Sequence, residues 1–135
     1  MQILIDFDAT VVSNDYPFMG DEIPGAVRIL KRLRQEGHDL ILFTMRADNL
    51  LDDALEWFKN RDIELFAVNS NPMFETGSRK IYGHVVIDDH NLGIPLTHDL
   101  DFHKKPFVDW ESVEDMLIAK GVLMSNHKPL KKAFV

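Results

Sequence analysis

Short, continuous apolar runs alternate along the chain with stretches in which apolar residues recur every three or four positions. The first run spans Gln2 to Asp8 and holds Ile3, Leu4 and Ile5, followed by Phe7 between two acids. Such a run predicts a strand buried on both faces. A helix is predicted from about Ile23: Pro24 suits the first helical turn, Val27, Leu30 and Leu33 share a face, and Gly37 ends it. Leu40-Ile41-Leu42-Phe43 predicts a second strand, with Thr44 at its C-terminal end. Leu51, Ala54, Leu55 and Phe58 follow the i, i+3, i+4, i+7 spacing of a core-facing helix over Asn49 to Lys59, with Asp48 as its cap.

Ile63 to Val68 then reads as a third strand, Asn69 to Ser78 as a polar loop, and His84 to Ile87 as a fourth strand. Residues 92–108 contain Gly93, Pro95 and Pro106 and read as irregular, with room for one short strand. A last helix from Asp109 or Trp110 to Lys120 packs Trp110, Val113, Met116 and Leu117, and Gly121 terminates it. Strands alternating with helices predict an α/β fold: a three-layer, doubly wound domain whose central parallel sheet is covered on both faces. The domain is assigned to residues 1–124. The tail, 125–135, carries Lys128, Lys131 and Lys132 without an acid and reads as a solvated basic end.

At 135 residues and 45% hydrophobic content, the chain suits one domain with a core of its own. It has no cysteine, which excludes disulfides, a thiolate zinc site and a cysteine nucleophile. The opening residues lack the basic and apolar regions of a signal peptide, and no run approaches a membrane span, so a cytoplasmic protein is expected. The net charge of −7 argues against nucleic acid or anionic membranes as partners.

Two apolar runs end in acids: Asp6 and Asp8 after the first, and Asp88 and Asp89 after Val85-Val86-Ile87. Without these four the net charge is −3, an ordinary surface. Acids at the ends of buried strands are costly unless a cation or a reaction uses them. In an open α/β sheet, ligands collect beyond the carboxyl ends of the strands, where Asp6, Asp8, Thr44, Asp88 and Asp89 are all expected. Positions i and i+2 of a strand share a face, which pairs Asp6 with Asp8. An all-oxygen donor set favours Mg²⁺ and a phosphorylated substrate. One carboxylate can then attack phosphorus while a second moves the proton, with Thr44 and Lys80 available for the phosphoryl oxygens.

In type and order, Asp6-Phe7-Asp8-Ala9-Thr10-Val11-Val12, Leu42-Phe43-Thr44-Met45-Arg46, Lys80 and Ile87-Asp88-Asp89 resemble the four motifs of the haloacid dehalogenase superfamily. The resemblance extends from about Ile3 to Pro95. It implies a Mg²⁺-dependent phosphatase in which Asp6 is the nucleophile and a metal ligand, and Asp8 the general acid/base that also touches the metal through its carbonyl. Thr44 would bind the phosphoryl group, Lys80 would pair with nucleophile and phosphate, and Asp88 and Asp89 would ligate Mg²⁺. Arg46 is a candidate guide for the phosphate. Ala9 stands where the family usually has glycine, which puts the turn after Asp8 under strain.

Residues Ala9–Glu22 and Asn69–Arg79 occupy the places where that superfamily inserts a cap domain, and both are too short for one. A capless site is open to bulky substrates or closed by a neighbouring subunit in a homo-oligomer. Tyr16, Phe18 and Met19 either line its entrance or pack their loop onto the body. Asn91 either supports a metal ligand or simply turns the chain, and His90 reads as a loop histidine, with contact to substrate as the alternative. The alternative function is a metal-binding or phosphorylation-responsive interaction module without turnover. A receiver-type module fits less well, because there the acid pair precedes the phosphorylated aspartate.

Overall fold

A computed structural model describes residues 1–125, so Lys128, Lys131 and Lys132 of the basic tail lie outside the described residues. Four strands, β1 (Gln2–Ile5), β2 (Asp39–Leu42), β3 (Ala67–Val68) and β4 (Val85–Ile87), form a parallel sheet in the order β3-β2-β1-β4. The helices are α1 (Ala26–Gln35), α2 (Asp48–Asn60) and α3 (Trp110–Ala119). Between β4 and α3, the short strands β5 (Leu96–Thr97) and β6 (Phe107–Val108) pair antiparallel. The segment expected to be largely irregular is thus a small β-ribbon. The fold is α/β with a central parallel sheet, as the alternation of patterns predicts.

Register explains the core. Ile3 pairs with Leu40 and Ile5 with Leu42, and these four side chains share one cluster with Ile29, Leu30 and Leu33 of α1. Ala54, Trp57 and Phe58 of α2 and Trp110, Val113 and Leu117 of α3 join the same cluster. Leu4 and Ile41, which alternate to the opposite face, are buried outside it. Right-handed crossovers from β1 to β2 and from β2 to β3 run the same way across the sheet, which puts α1 and α2 on one side.

Among the described residues the connection from β3 to β4 contains no helix, so the expected helical covering of both faces is not formed there. That loop crosses the second face itself. Gly83 lies so close to Leu4 that a Cβ on it would sit 2.0 Å from a Leu4 methyl carbon.

Several predicted boundaries move for local reasons. The first strand stops at Ile5 rather than Asp8, because the Phe7 carbonyl accepts from the N–H groups of Thr10, Val11 and Val12 and turns the chain. The third strand shrinks to Ala67–Val68, as Asp62 takes a left-handed φ of 55° and Ile63 bonds back to Phe58. Ala47, not Asp48, is the N-cap of α2, and no side chain caps that end. Asp109 does cap α3, accepting from the Ser112 N–H.

Helix α3 carries no motif, yet it fixes the loop after the first strand. The buried Trp110 indole N–H donates to the Thr10 carbonyl at 2.7 Å. Trp110→Phe removes that donor and leaves the carbonyl buried without it. The substitution is expected to lower stability by about 2 kcal/mol in urea unfolding, with the denaturant slope unchanged.

Candidate active site

The C-terminal ends of β1, β2 and β4 open into a cavity of about 580 Å³ lined by Asp6, Asp8, Thr44, Asp88 and Asp89. Five of the predicted site residues are therefore together. Asp6 leaves β1 with its N–H still bonded to the Ile87 carbonyl at 3.0 Å, which places it beside Asp88 at the end of β4. Asp8 reaches the cavity by the turn after Phe7 and not by strand alternation.

Ala9 adopts a φ of 65°, the left-handed conformation in which glycine is favoured, so the expected strain is present. Its N–H and carbonyl are both bonded, to the Val12 carbonyl and the Val108 N–H. These bonds and its burial hold the alanine in place.

Thr10 is the site residue that the sequence does not single out. Its hydroxyl lies 3.0 Å from an Asp6 carboxylate oxygen and 3.3 Å from one of Asp89, and it accepts the Asp89 N–H at 3.0 Å. One small hydroxyl thus ties the first acid pair to the second. The only sequence signal is its place two residues after Asp8, which by itself reads as a turn.

The acids are electrostatically crowded. Burial, the charge of Asp88 and a hydrogen bond with Asp89 push the Asp6 carboxyl up to about 8. Burial also raises Asp89 above the ordinary carboxylate range. Both shifts arise from carboxylates gathered out of water beside the charge of Asp88, a setting that a bound cation would relieve. Asp88, Asp89 and His90 can bring one ligand atom each within 4.8 Å of one another. Asn91 supports that turn, its side-chain amide donating to the Val86 carbonyl at 2.7 Å. His98, Asp101 and His103 form no metal cluster among the described residues; His103 instead meets Asp15 at 3.1 Å.

Arg46 is not available to a phosphate. Its side chain is wholly buried and forks onto Asp8, Nε to one oxygen at 2.8 Å and an Nη to the other at 2.7 Å. It also donates to the Phe18 carbonyl and stacks on Phe7 and Tyr16, with guanidinium carbons 5.1 and 5.5 Å from the ring centres. The predicted phosphate guide is a clamp on Asp8, because a guanidinium this deep must have its charge and donors met inside the protein.

Thr44 is oriented by its neighbours. Its backbone N–H and carbonyl pair reciprocally with the Asn69 side chain at 2.9 and 3.1 Å, and its hydroxyl oxygen accepts the Arg46 N–H at 3.1 Å. The Thr44 O–H is left to donate elsewhere.

Lys80 is not brought into the acid cavity. It lies on the exposed loop after β3, lining a neighbouring hollow that shares only Asn69 with the acids. That loop curls on itself through bonds from the Ser78 N–H to Thr76 and the Lys80 N–H to Ser78. Of the three entrance candidates, Tyr16 lines the cavity, whereas Phe18 and Met19 do not and are solvent-exposed.

Two expectations follow. Arg46→Ala strands the Asp8 carboxylate and is expected to cost about 3 kcal/mol or more in urea unfolding, with Arg46→Lys recovering only part because it lacks the fork. For Asp6, the folded pKa lies above the unfolded value of 3.8. The unfolded chain therefore sheds its proton first, and the stability that this group contributes falls as pH rises from about 4 to about 8. Asp6→Asn should accordingly melt several degrees higher than the parent at pH 8, with the gap closing toward pH 4 in a thermal scan without divalent ions.

No protein-family model and no curated protein matches the chain. A conserved protein of Bacteroides thetaiotaomicron with a solved structure is 40% identical, over 89% of this chain and 91% of that one, with a TM-score of 0.73. At that identity and coverage, the chain belongs to the same family as this conserved Bacteroides thetaiotaomicron protein.

Proposed function

We propose that the chain is a Mg²⁺-dependent phosphomonoester hydrolase of the haloacid dehalogenase type, working through an aspartyl phosphate on Asp6. The observation that carries this reading is the meeting of Asp6, Asp8, Asp88 and Asp89 with Thr44 in one cavity at the carboxyl ends of parallel strands. Segments 9–25 and 69–84 form no helix and no extended strand among the described residues, in keeping with a capless member of that superfamily.

The donor set suits Mg²⁺. The carboxylates of Asp6, Asp88 and Asp89 are hard oxygen donors, and the burial and like charge that raise the Asp6 carboxyl fit a site that takes a cation. Asp6, Asp88 and Asp89 through their carboxylates, and Asp8 through its carbonyl, would hold the ion. When bound, it supplies the positive charge that lets these acids ionise together and that attracts a phosphoryl group.

The chain's own residues then perform the transfer. An Asp6 oxygen bonds to phosphorus as the bond to the alcohol oxygen breaks, and Asp8 delivers a proton to that oxygen. Water next attacks phosphorus, the bond to Asp6 breaks, phosphate leaves, and Asp8 takes the proton from the water. Arg46 keeps both Asp8 oxygens in a fixed plane, and each retains a second lone pair for the proton. The Thr44 hydroxyl donates to a phosphoryl oxygen. Lys80 has no part in this scheme.

The lack of any lysine lining the acid cavity among the described residues favours one second reading, a metal-binding module without turnover. Phosphate release from a panel of phosphorylated metabolites and an aryl phosphate, with and without Mg²⁺, decides between them. Turnover should require Mg²⁺ and fall on the order of 10³-fold or more in Asp6→Asn with the circular dichroism spectrum intact. Asp8→Asn should slow both steps. Full activity in Asp6→Asn removes the nucleophile assignment; Mg²⁺ binding without phosphate release establishes the silent module.

A further inference from the structure

The acid cavity has a second half that phosphate chemistry does not use. Beside the carboxylates its wall is made by Tyr16, Phe43 and Met45, of which Tyr16 is 52% and Phe43 39% exposed. Apolar side chains grouped in the wall of a concave site that also holds charged groups suit a ligand with an apolar portion. The Tyr16 ring and the Phe43 main chain are held in place. Tyr16 stacks against the buried Arg46 guanidinium, and Phe43 follows β2 with its N–H bonded to the Ile5 carbonyl at 2.8 Å. Met45 adds a polarisable, adaptable side chain at the rim.

Charge narrows the ligand further. Among the described residues that line the cavity none is lysine or arginine, since Arg46 is committed to Asp8 and Lys80 faces the neighbouring hollow. Four ionised carboxylates with Arg46 on Asp8 and one divalent ion beside them still leave one negative charge. A second anionic group on the substrate would meet net repulsion, the one basic side chain in the described lining being the exposed His90, which lies 3.5 Å from Asp89. At about 580 Å³ the cavity has room for a ring as well as a phosphate.

We infer that the substrate is a phosphomonoester whose otherwise uncharged alcohol portion carries a flat aromatic ring, packed against the wall that Tyr16 and Phe43 form. The inference rests on the phosphatase reading for the phosphate end and on the cavity wall for the ring end. A nucleobase and a simple aryl group share this chemistry.

Matched pairs test it, because leaving-group reactivity is then constant. Benzyl phosphate and cyclohexylmethyl phosphate differ in ring planarity, a nucleoside 5′-monophosphate and ribose 5-phosphate differ by the base, and 4-carboxybenzyl phosphate adds an anion to the first. Binding to the Asp6→Asn protein with Mg²⁺ is read by calorimetry, and kcat/KM is read on the parent. The planar member of at least one pair should be favoured roughly fivefold to tenfold. The added carboxylate should weaken benzyl phosphate by a similar factor, and Tyr16→Ala or Phe43→Ala should bring the ring preference below about twofold. Preference in the first pair alone identifies an aryl group, and in the second alone a nucleobase.

Equal binding within both pairs, or a ring preference untouched by both substitutions, overturns the inference while leaving Asp6-dependent turnover standing. A ring preference in binding without turnover by the parent keeps the slot and removes the phosphatase.

Discussion

The buried fork between Arg46 and Asp8 is the interaction on which the architecture of the site depends. The two residues come from different strand ends, and the guanidinium also holds the Phe18 carbonyl and the rings of Phe7 and Tyr16. Two crossovers and the long loop after Asp8 are thereby fixed to one point. A charge with no access to water must satisfy its donors internally, so it tolerates few arrangements of its surroundings. The pair specifies geometry at some cost in desolvation, which is the usual character of buried ion pairs.

A second constraint opposes the first. Asp6 and Asp89 sit where burial and the nearby charge of Asp88 make ionisation unfavourable, and the Thr10 hydroxyl relieves only part of that cost. A fold selected for stability alone would not gather them. The hydrophobic cluster beneath, with Phe7, Trp57 and Phe58 in edge and tilted contact, supplies the rigidity against which this crowding is held. Trp110 extends that support to the loop itself through the Thr10 carbonyl.

Much of this was legible in the chain. Continuous apolar runs at Ile3, Leu40 and Val85 announce buried parallel strands, and acids or a threonine directly after them must emerge at one sheet edge. What misled was local. The spacing of Asp6 and Asp8 suggested one pleated face, whereas a turn at Phe7 brings them together. Lys80 had the right order in sequence but lies on a loop whose path no periodicity specifies. Arg46 was a candidate guide for the phosphate and proved to be a confined charge held on Asp8, because its partners lie far away along the chain.

The sequence by itself determined the strands, the helices and the edge at which the acids emerge, since burial and hydrogen bonding impose a period on each element. Tertiary structure alone decided which side chains come together: Arg46 with Asp8, Thr10 with both acid pairs, Tyr16 and Phe43 in the wall of one cavity. It also decided that the loop after β3, not a helix, covers the second face of the sheet. The reason is that a period is read over a few neighbouring residues, whereas pairing of buried charges depends on distances between segments that only the folded chain brings together.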